Sequence, residues 1–254
     1  MKLFSRRTPG DGAPLLVLHG LFGSSRNWIT NAKKYSSFAD VFLLDLRNHG
    51  DSPWHSVHSI QGMAEDVLEF IHSEKLEKVN ILGHSMGGLV TIQAIAYEPN
   101  FFQKAIVEDI APKDYPFAYT KELELLSLGL EGFSSRTQIE EKAKQIVEEP
   151  FIRNFLLMNL ERKEDGTYRW KVNAEAIRKA QTNLFYNQID LKKIDVPLLL
   201  IYGGKSEFVS PSDLKIYKTH FSNFRFNCLT EGDHYMHFKL ESEFNRLVEE
   251  FLKT

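Results

Sequence analysis

Short, wholly apolar runs alternate with amphipathic stretches along the first half of the chain. Leu15 to Leu18 is apolar throughout, as is Val41 to Leu44, and Val79 to Leu82 departs only at Asn80. Lys104 to Val107 forms a fourth run. These segments are short, rich in β-branched or large apolar residues, and the first three end at His19, Asp45 and Gly83. Strands covered on both faces have this pattern. Between the second and third runs, Met63, Val67, Phe70 and Ile71 fall at helical spacing, with Ser59 placed to cap the helix. Strand, helix, strand at this spacing predicts a parallel sheet with helices on both faces.

The pattern changes from Ala111 to about Gln188, a segment rich in Lys, Glu and Gln with helical stretches such as Ile139 to Val147 and no convincing strand. The charges from Glu140 to Glu149 read as the wet face of one of those helices. Strand character resumes at Pro197 to Tyr202 and again at Arg225 to Leu229, and an amphipathic helix from about Glu241 to Leu252 closes the chain. The expected organisation is an α/β core of residues 1–111 and 189–254, interrupted by a helical lid of residues 112–188. Insertions of this size usually act as covers over a site.

Composition narrows the setting. At 254 residues, 43% apolar and 26% charged, the chain can bury a sizeable core. A formal charge of −3 gives no reason to expect nucleic acid or an anionic membrane as partner. Lys2, Arg6 and Arg7 precede an apolar run that stops at His19, too short for a secretory segment, which needs roughly 7–15 apolar residues. No run approaches the roughly 20 apolar residues of a membrane span. The single cysteine, Cys228, cannot form an internal disulfide and is expected to be a buried, inert strand residue. A cytoplasmic location and a monomer or homodimer are expected.

The chemistry is concentrated at Gly83-His84-Ser85-Met86-Gly87. A strand precedes it and a helical stretch, Leu89 to Tyr97, follows, as a nucleophile elbow requires. Such a turn strains the serine backbone so that the hydroxyl projects outward, and side chains two positions to either side would collide. The helix start beyond Ser85 offers free N–H groups where an oxyanion would develop. His19-Gly20-Leu21-Phe22-Gly23 follows the first strand and can bend toward the same place. Leu21 and Met86 are the expected oxyanion donors, with Phe22 as the alternative to Leu21.

A serine hydroxyl needs a base, and the late histidines of Glu231-Gly232-Asp233-His234-Tyr235-Met236-His237 supply two candidates. His234 is favoured because it follows the glycine turn after the last strand, leaving His237 to line the site or pack on the closing helix. Asp109, just past a strand at the sheet's carboxyl edge, is the expected acid, with Glu207 as the alternative. Glu108 should face the opposite way and form a structural pair. Phe22, His84 and His237 are expected near substrate. Arg47 is expected to hold a turn with its hydrogen bonds, and Phe101, Phe102, Phe117 and Tyr119 to serve the core, the lid or an acyl pocket. No His/Cys/Asp set has metal-ligand spacing and no phosphate-binding glycine loop is present, so neither metal nor cofactor is expected.

Four segments together, His19 to Ser24, Asp45 to Ser52, Gly83 to Gly88 and Asp109 to Pro112, resemble the YbfF-like esterases, small α/β hydrolases related to mammalian abhydrolase-domain proteins. The likeness runs along nearly the whole chain and is weakest through the insertion. It implies the α/β-hydrolase fold, a mostly parallel sheet flanked by helices, with the lid entering between strands 6 and 7. It also implies hydrolysis of carboxylic esters, with acyl thioesters as further substrates, and assigns the acid to Asp109. Two positions depart from the pattern. Such proteins carry Gly-Gly-Asn-Ser where this chain has Gly203-Gly204-Lys205-Ser206, and glycine where Asp233 precedes the base. The resulting expectation is a serine esterase for short- to medium-chain acyl esters. An aminopeptidase, a perhydrolase or a non-catalytic small-molecule receptor on the same fold are the rivals.

Overall fold

The computed structural model describes residues 1–180 and 193–254. Seven strands form one sheet: β1 (Phe4–Thr8), β2 (Pro14–Leu18), β3 (Asp40–Asp45), β4 (Val79–His84), β5 (Phe102–Glu108), β8 (Leu198–Gly203) and β9 (Phe224–Leu229). Their spatial order is β1-β3-β2-β4-β5-β8-β9, and every pairing except the antiparallel β1–β3 is parallel. Strand β1 has no counterpart in the sequence reading. Its residues, Phe4-Ser5-Arg6-Arg7-Thr8, are mostly polar and half-buried, as an edge strand permits.

Alternation along the strands divides the interior in two. Leu16 and Leu18 of β2 face one core, and Leu15 and Val17 face the other. The first core is closed by helix α2 (Ile60–Ser73) and helix α3 (Met86–Tyr97); the second by α1 (Ile29–Tyr35), through Ala32 and Tyr35 with Trp28 just ahead of it, and by α10 (Glu241–Lys253), through Phe244 and Val248. Ser59 does cap α2, its hydroxyl accepting from the Gly62 N–H. Among the described residues no helix is long and apolar enough to cross a membrane.

Between β5 and β8 the chain forms α4 (Thr120–Leu126), α5 (Arg136–Ile146), α6 (Pro150–Leu157), the antiparallel hairpin β6 (Leu160–Arg162) with β7 (Tyr168–Trp170), and α7 (Ala174–Ala180). The insertion therefore follows the fifth strand of the sheet, not the sixth, and it contains a hairpin where no strand was expected. Its expected end, at residues 188 and 189, lies outside the described residues. Two short helices, α8 (Leu214–His220) and α9 (Met236–Lys239), complete the chain.

Cys228 departs from expectation. It is exposed, because β9 is an edge strand whose residues from Arg225 to Cys228 lack cover.

Candidate active site

The chain order folds back at the middle of the sheet: β4 lies between β2 and β5, and the loops leaving β2, β4 and β5 gather at the carboxyl ends of these strands. Open parallel sheets form clefts at such a point. The turn after β4 brings Ser85 there with φ 51° and ψ −119°, a conformation costly for any side-chain-bearing residue. Flanking packing enforces it. A Cβ on Gly83 would lie 2.2 Å from the Gly87 carbonyl oxygen, and one on Gly87 would lie 2.6 Å from the oxygens of both Leu18 and His19. Only glycine fits at either position.

Three side chains from three loops meet in a line. His234 Nε2 is 2.9 Å from Ser85 Oγ, and His234 Nδ1 is 2.7 Å from Asp109 Oδ2. A carboxylate only accepts, so Nδ1 carries the proton and Nε2 offers its lone pair to the serine hydroxyl. Asp109 is fully buried, has φ 52°, and is tied down by the Gly203 N–H, 3.0 Å from Oδ1, and by the Ser206 hydroxyl donating to Oδ2. Phe208 stacks on the His234 ring with centroids 3.8 Å apart, fixing its plane. Glu207, the alternative acid, is exposed and makes no hydrogen bond to His234, whose ring nitrogens bond Asp109 and Ser85. Asp233 bonds the Tyr235 N–H and pairs with Lys239.

The backbone donors are distributed as the turn geometry dictates. The Phe22 N–H is taken by His49 Nε2 at 3.1 Å, so Phe22 is not free as the alternative donor. The N–H groups of Leu21 and Met86 have no acceptor among the described residues. The cavity above Ser85 has a volume of about 240 Å³. Its floor includes Leu21, Phe22, His84, Phe208 and Tyr235, and the insertion supplies Tyr119, Glu122, Ile152, Phe155 and Leu156. Phe117 backs this wall through its edge contact with Tyr119, whereas Phe101 packs on His72 and Phe102 lies in β5, away from the cavity.

His84 lines the cavity and donates from Nε2 to the His234 carbonyl at 2.8 Å; burial, then the nearby His237 and His234, hold its pKa well below the usual value. His237 corrects the expectation that it meets substrate. Its ring lies flat on Trp28, centroids 4.2 Å apart, and bonds Glu108 Oε1 at 2.9 Å behind the site. Glu108 thus makes the structural pair expected of it. Sequence spacing conceals that His84, Glu108 and His237 bring their ligand-type atoms within 4.8 Å of one another. Each already has a protein hydrogen-bond partner. Arg47 is buried and bonds Asp66 Oδ2 at 2.6 Å and the Gly62 carbonyl at 2.7 Å, the turn-holding role expected.

Tyr119 reaches the cavity, one of the places the sequence allowed it, whereas Phe208, Tyr235 and the insertion's other contributors were not singled out. Only Ser206 left a signal, as the serine of the Gly-Gly-x-Ser loop.

Residues 13–239 match the α/β-hydrolase fold family, and the chain belongs to it. A solved structure named marine microorganism esterase superposes with a TM-score of 0.94 at 37% identity, covering 98% of this chain and 99% of that one. An abhydrolase domain-containing protein of Schizosaccharomyces pombe is 30% identical over 253 residues, 95% of this chain and 92% of its own length. Esterase YbfF of Escherichia coli is 26% identical over 247 residues, 95% of this chain and 94% of its own.

Proposed function

We propose that this chain is a carboxylic ester hydrolase that works through a covalent acyl-enzyme on Ser85. Esterases among its relatives support the reaction class. The observation that carries the mechanism is the bridge formed by one imidazole between the Ser85 hydroxyl and the Asp109 carboxylate, at 2.9 and 2.7 Å.

Ser85 Oγ attacks the ester carbonyl as His234 Nε2 takes its proton. The buried Asp109 charge holds the required tautomer and stabilises the imidazolium. The Leu21 and Met86 amides receive the oxyanion. Collapse expels the alcohol or thiol with the proton returned from His234. Water, deprotonated by the same nitrogen, attacks the acyl-enzyme and releases the acid. A cavity of about 240 Å³ with a largely apolar wall suits short- to medium-chain acyl groups, in esters and thioesters. The helices of the insertion form the lid that closes it.

The test is a chain-length series of p-nitrophenyl esters beside acyl thioesters, run with wild type and Ser85→Ala. Turnover should fall steeply once the acyl chain outgrows the cavity and vanish in the alanine variant. Activity that survives in Ser85→Ala refutes the mechanism.

A further inference from the structure

Phe22 sits in the left-handed region at φ 62°, which a bulky aromatic residue adopts only when its surroundings hold it there. It is the third residue of a turn closed by the Gly23 N–H donating to the Gly20 carbonyl at 3.0 Å. Positive φ at that place marks a turn whose central peptide is flipped relative to the commonest form, and glycine normally takes it.

Two buried side chains from separate parts of the chain grip this residue. His49 Nε2 accepts the Phe22 N–H at 3.1 Å, while His49 Nδ1 donates to the Arg47 carbonyl at 3.0 Å. The second bond fixes the tautomer, and burial, with His19 nearby, depresses the His49 pKa to about 3, so the acceptor stays unprotonated. On the other side, Asn159 Nδ2 donates to the Phe22 carbonyl at 2.8 Å and to the Leu156 carbonyl at 3.2 Å. Asn159 belongs to the insertion, between α6 and β6. The two grips are themselves joined: Val172 bridges His49, and the Asn173 N–H donates to the Asn48 carbonyl at 2.9 Å.

A flip of the central peptide would take the Phe22 N–H away from His49. The Leu21 N–H sits on the preceding peptide, whose Gly20 carbonyl accepts the Gly23 N–H, so this donor is aimed by the placement of the whole turn, which the two grips on Phe22 anchor. We propose that His49 and Asn159 are positioning residues that hold the Gly20–Gly23 turn so that the Leu21 N–H faces the oxyanion formed at Ser85. The inference rests on the acyl-enzyme reading above. It also gives the insertion a part in the chemistry, since one of the two grips is its own.

The test compares wild type, His49→Ala, His49→Gln, Asn159→Leu and Ser85→Ala on p-nitrophenyl butyrate, with active sites counted by a fluorophosphonate run to completion. A trifluoromethyl ketone, whose adduct with serine carries an oxyanion, serves as transition-state analogue. Loss of either grip should lower kcat per titrated site by about 10–100-fold, the scale of a misplaced oxyanion donor, with KM within about twofold. The inhibition constant for the ketone should rise by the factor by which kcat/KM falls. His49→Gln, whose Oε1 can reach the place of Nε2, should restore most of kcat. Unchanged kcat per site in both Asn159→Leu and His49→Ala, or a loss confined to KM, or an unchanged ketone affinity, overturns the proposal. If His49→Ala does not fold, Asn159→Leu and the glutamine variant decide by the same criteria. Turnover retained by Ser85→Ala instead removes the acyl-enzyme reading itself, a distinct failure.

Discussion

The Ser206 hydroxyl donates to the same Asp109 oxygen that lies 2.7 Å from His234 Nδ1. The carboxylate is therefore oriented from two sides, by the Gly203 N–H on Oδ1 and by Ser206 on Oδ2, before the imidazole arrives. Ser206→Ala leaves the charge and removes one of its supports, so kcat should drop only a few-fold with KM unchanged. Asp109→Asn should lower kcat by about 10⁴, because an amide no longer selects the tautomer with its lone pair toward serine. Steady-state kinetics on one ester, with melting temperatures as a control, measure both. Equal losses in the two variants would contradict this division of roles.

The family resemblance implies glycine at Asp233, yet its φ is not positive, so the backbone there makes no demand for glycine. Its carboxylate accepts the Tyr235 N–H at 2.9 Å and pairs with the exposed Lys239. Half-exposed pairs of this kind contribute at most about 1 kcal/mol. Asp233→Gly should keep kcat/KM within about threefold and shift the urea midpoint only slightly. Abolished activity would instead make Asp233 an essential acid.

Glu122, in the first turn of α4, contributes a carboxylate to an otherwise largely apolar cavity wall and pairs with no cation among the described residues. It helps to raise the phenol pKa values of Tyr119, pushed up to about 12, and Tyr235, although burial is the larger cause in both. A negative charge in this wall should favour esters that bring an ammonium or a hydroxyl and disfavour those that bring a second carboxylate. Glu122→Gln should lower kcat/KM for an amino-bearing ester relative to its uncharged isostere by about 3–10-fold, the worth of one half-screened charge pair. It should raise kcat/KM for a carboxylate-bearing ester. A ratio of rates unmoved by the substitution would dismiss Glu122 as a selectivity determinant.

The parts legible in the sequence were those fixed by local geometry. Gly83 and Gly87 are legible because three backbone carbonyls leave no room for a Cβ at one or the other, and β2 through β5 because strands covered on both faces must be apolar nearly throughout. The parts that failed depend on which element lies beside which. Nothing in Arg225 to Leu229 says that β9 is an edge, and therefore that Cys228 is exposed. His237 follows His234 by three residues, yet the turn entering α9 sends one ring to Ser85 and the other to Trp28. The hairpin of β6 and β7 escaped because three-residue strands carry too little period to read. Asn159 escaped because its partner, the Phe22 carbonyl, is distant in sequence.

The last prediction concerns acid. His19 bonds the Gly20 carbonyl from Nδ1 at 2.8 Å and accepts the Leu46 N–H at Nε2, 3.0 Å away; burial lowers its pKa to about 4. His49 is built the same way, and its pKa falls to about 3 through burial and the neighbouring His19. His58 and His84 are also lowered, mainly by burial. Each ring serves the fold in its neutral form, and protonating His19 or His49 would turn an acceptor of a backbone N–H into a donor facing a donor. In the unfolded chain these rings regain a pKa near the usual 6.5. Between the folded and unfolded values the unfolded state binds more protons, so stability rises with pH across this window and is lost as pH falls below about 6.5. At pH 5 the loss is about 2 kcal/mol for each such ring that stays neutral in the fold. Urea midpoints should therefore fall markedly from pH 7.5 to pH 5, and His49→Gln, with no ring to protonate, should show a shallower fall than wild type. Parallel pH dependences in the two proteins would mean that His49 takes no part in the acid transition.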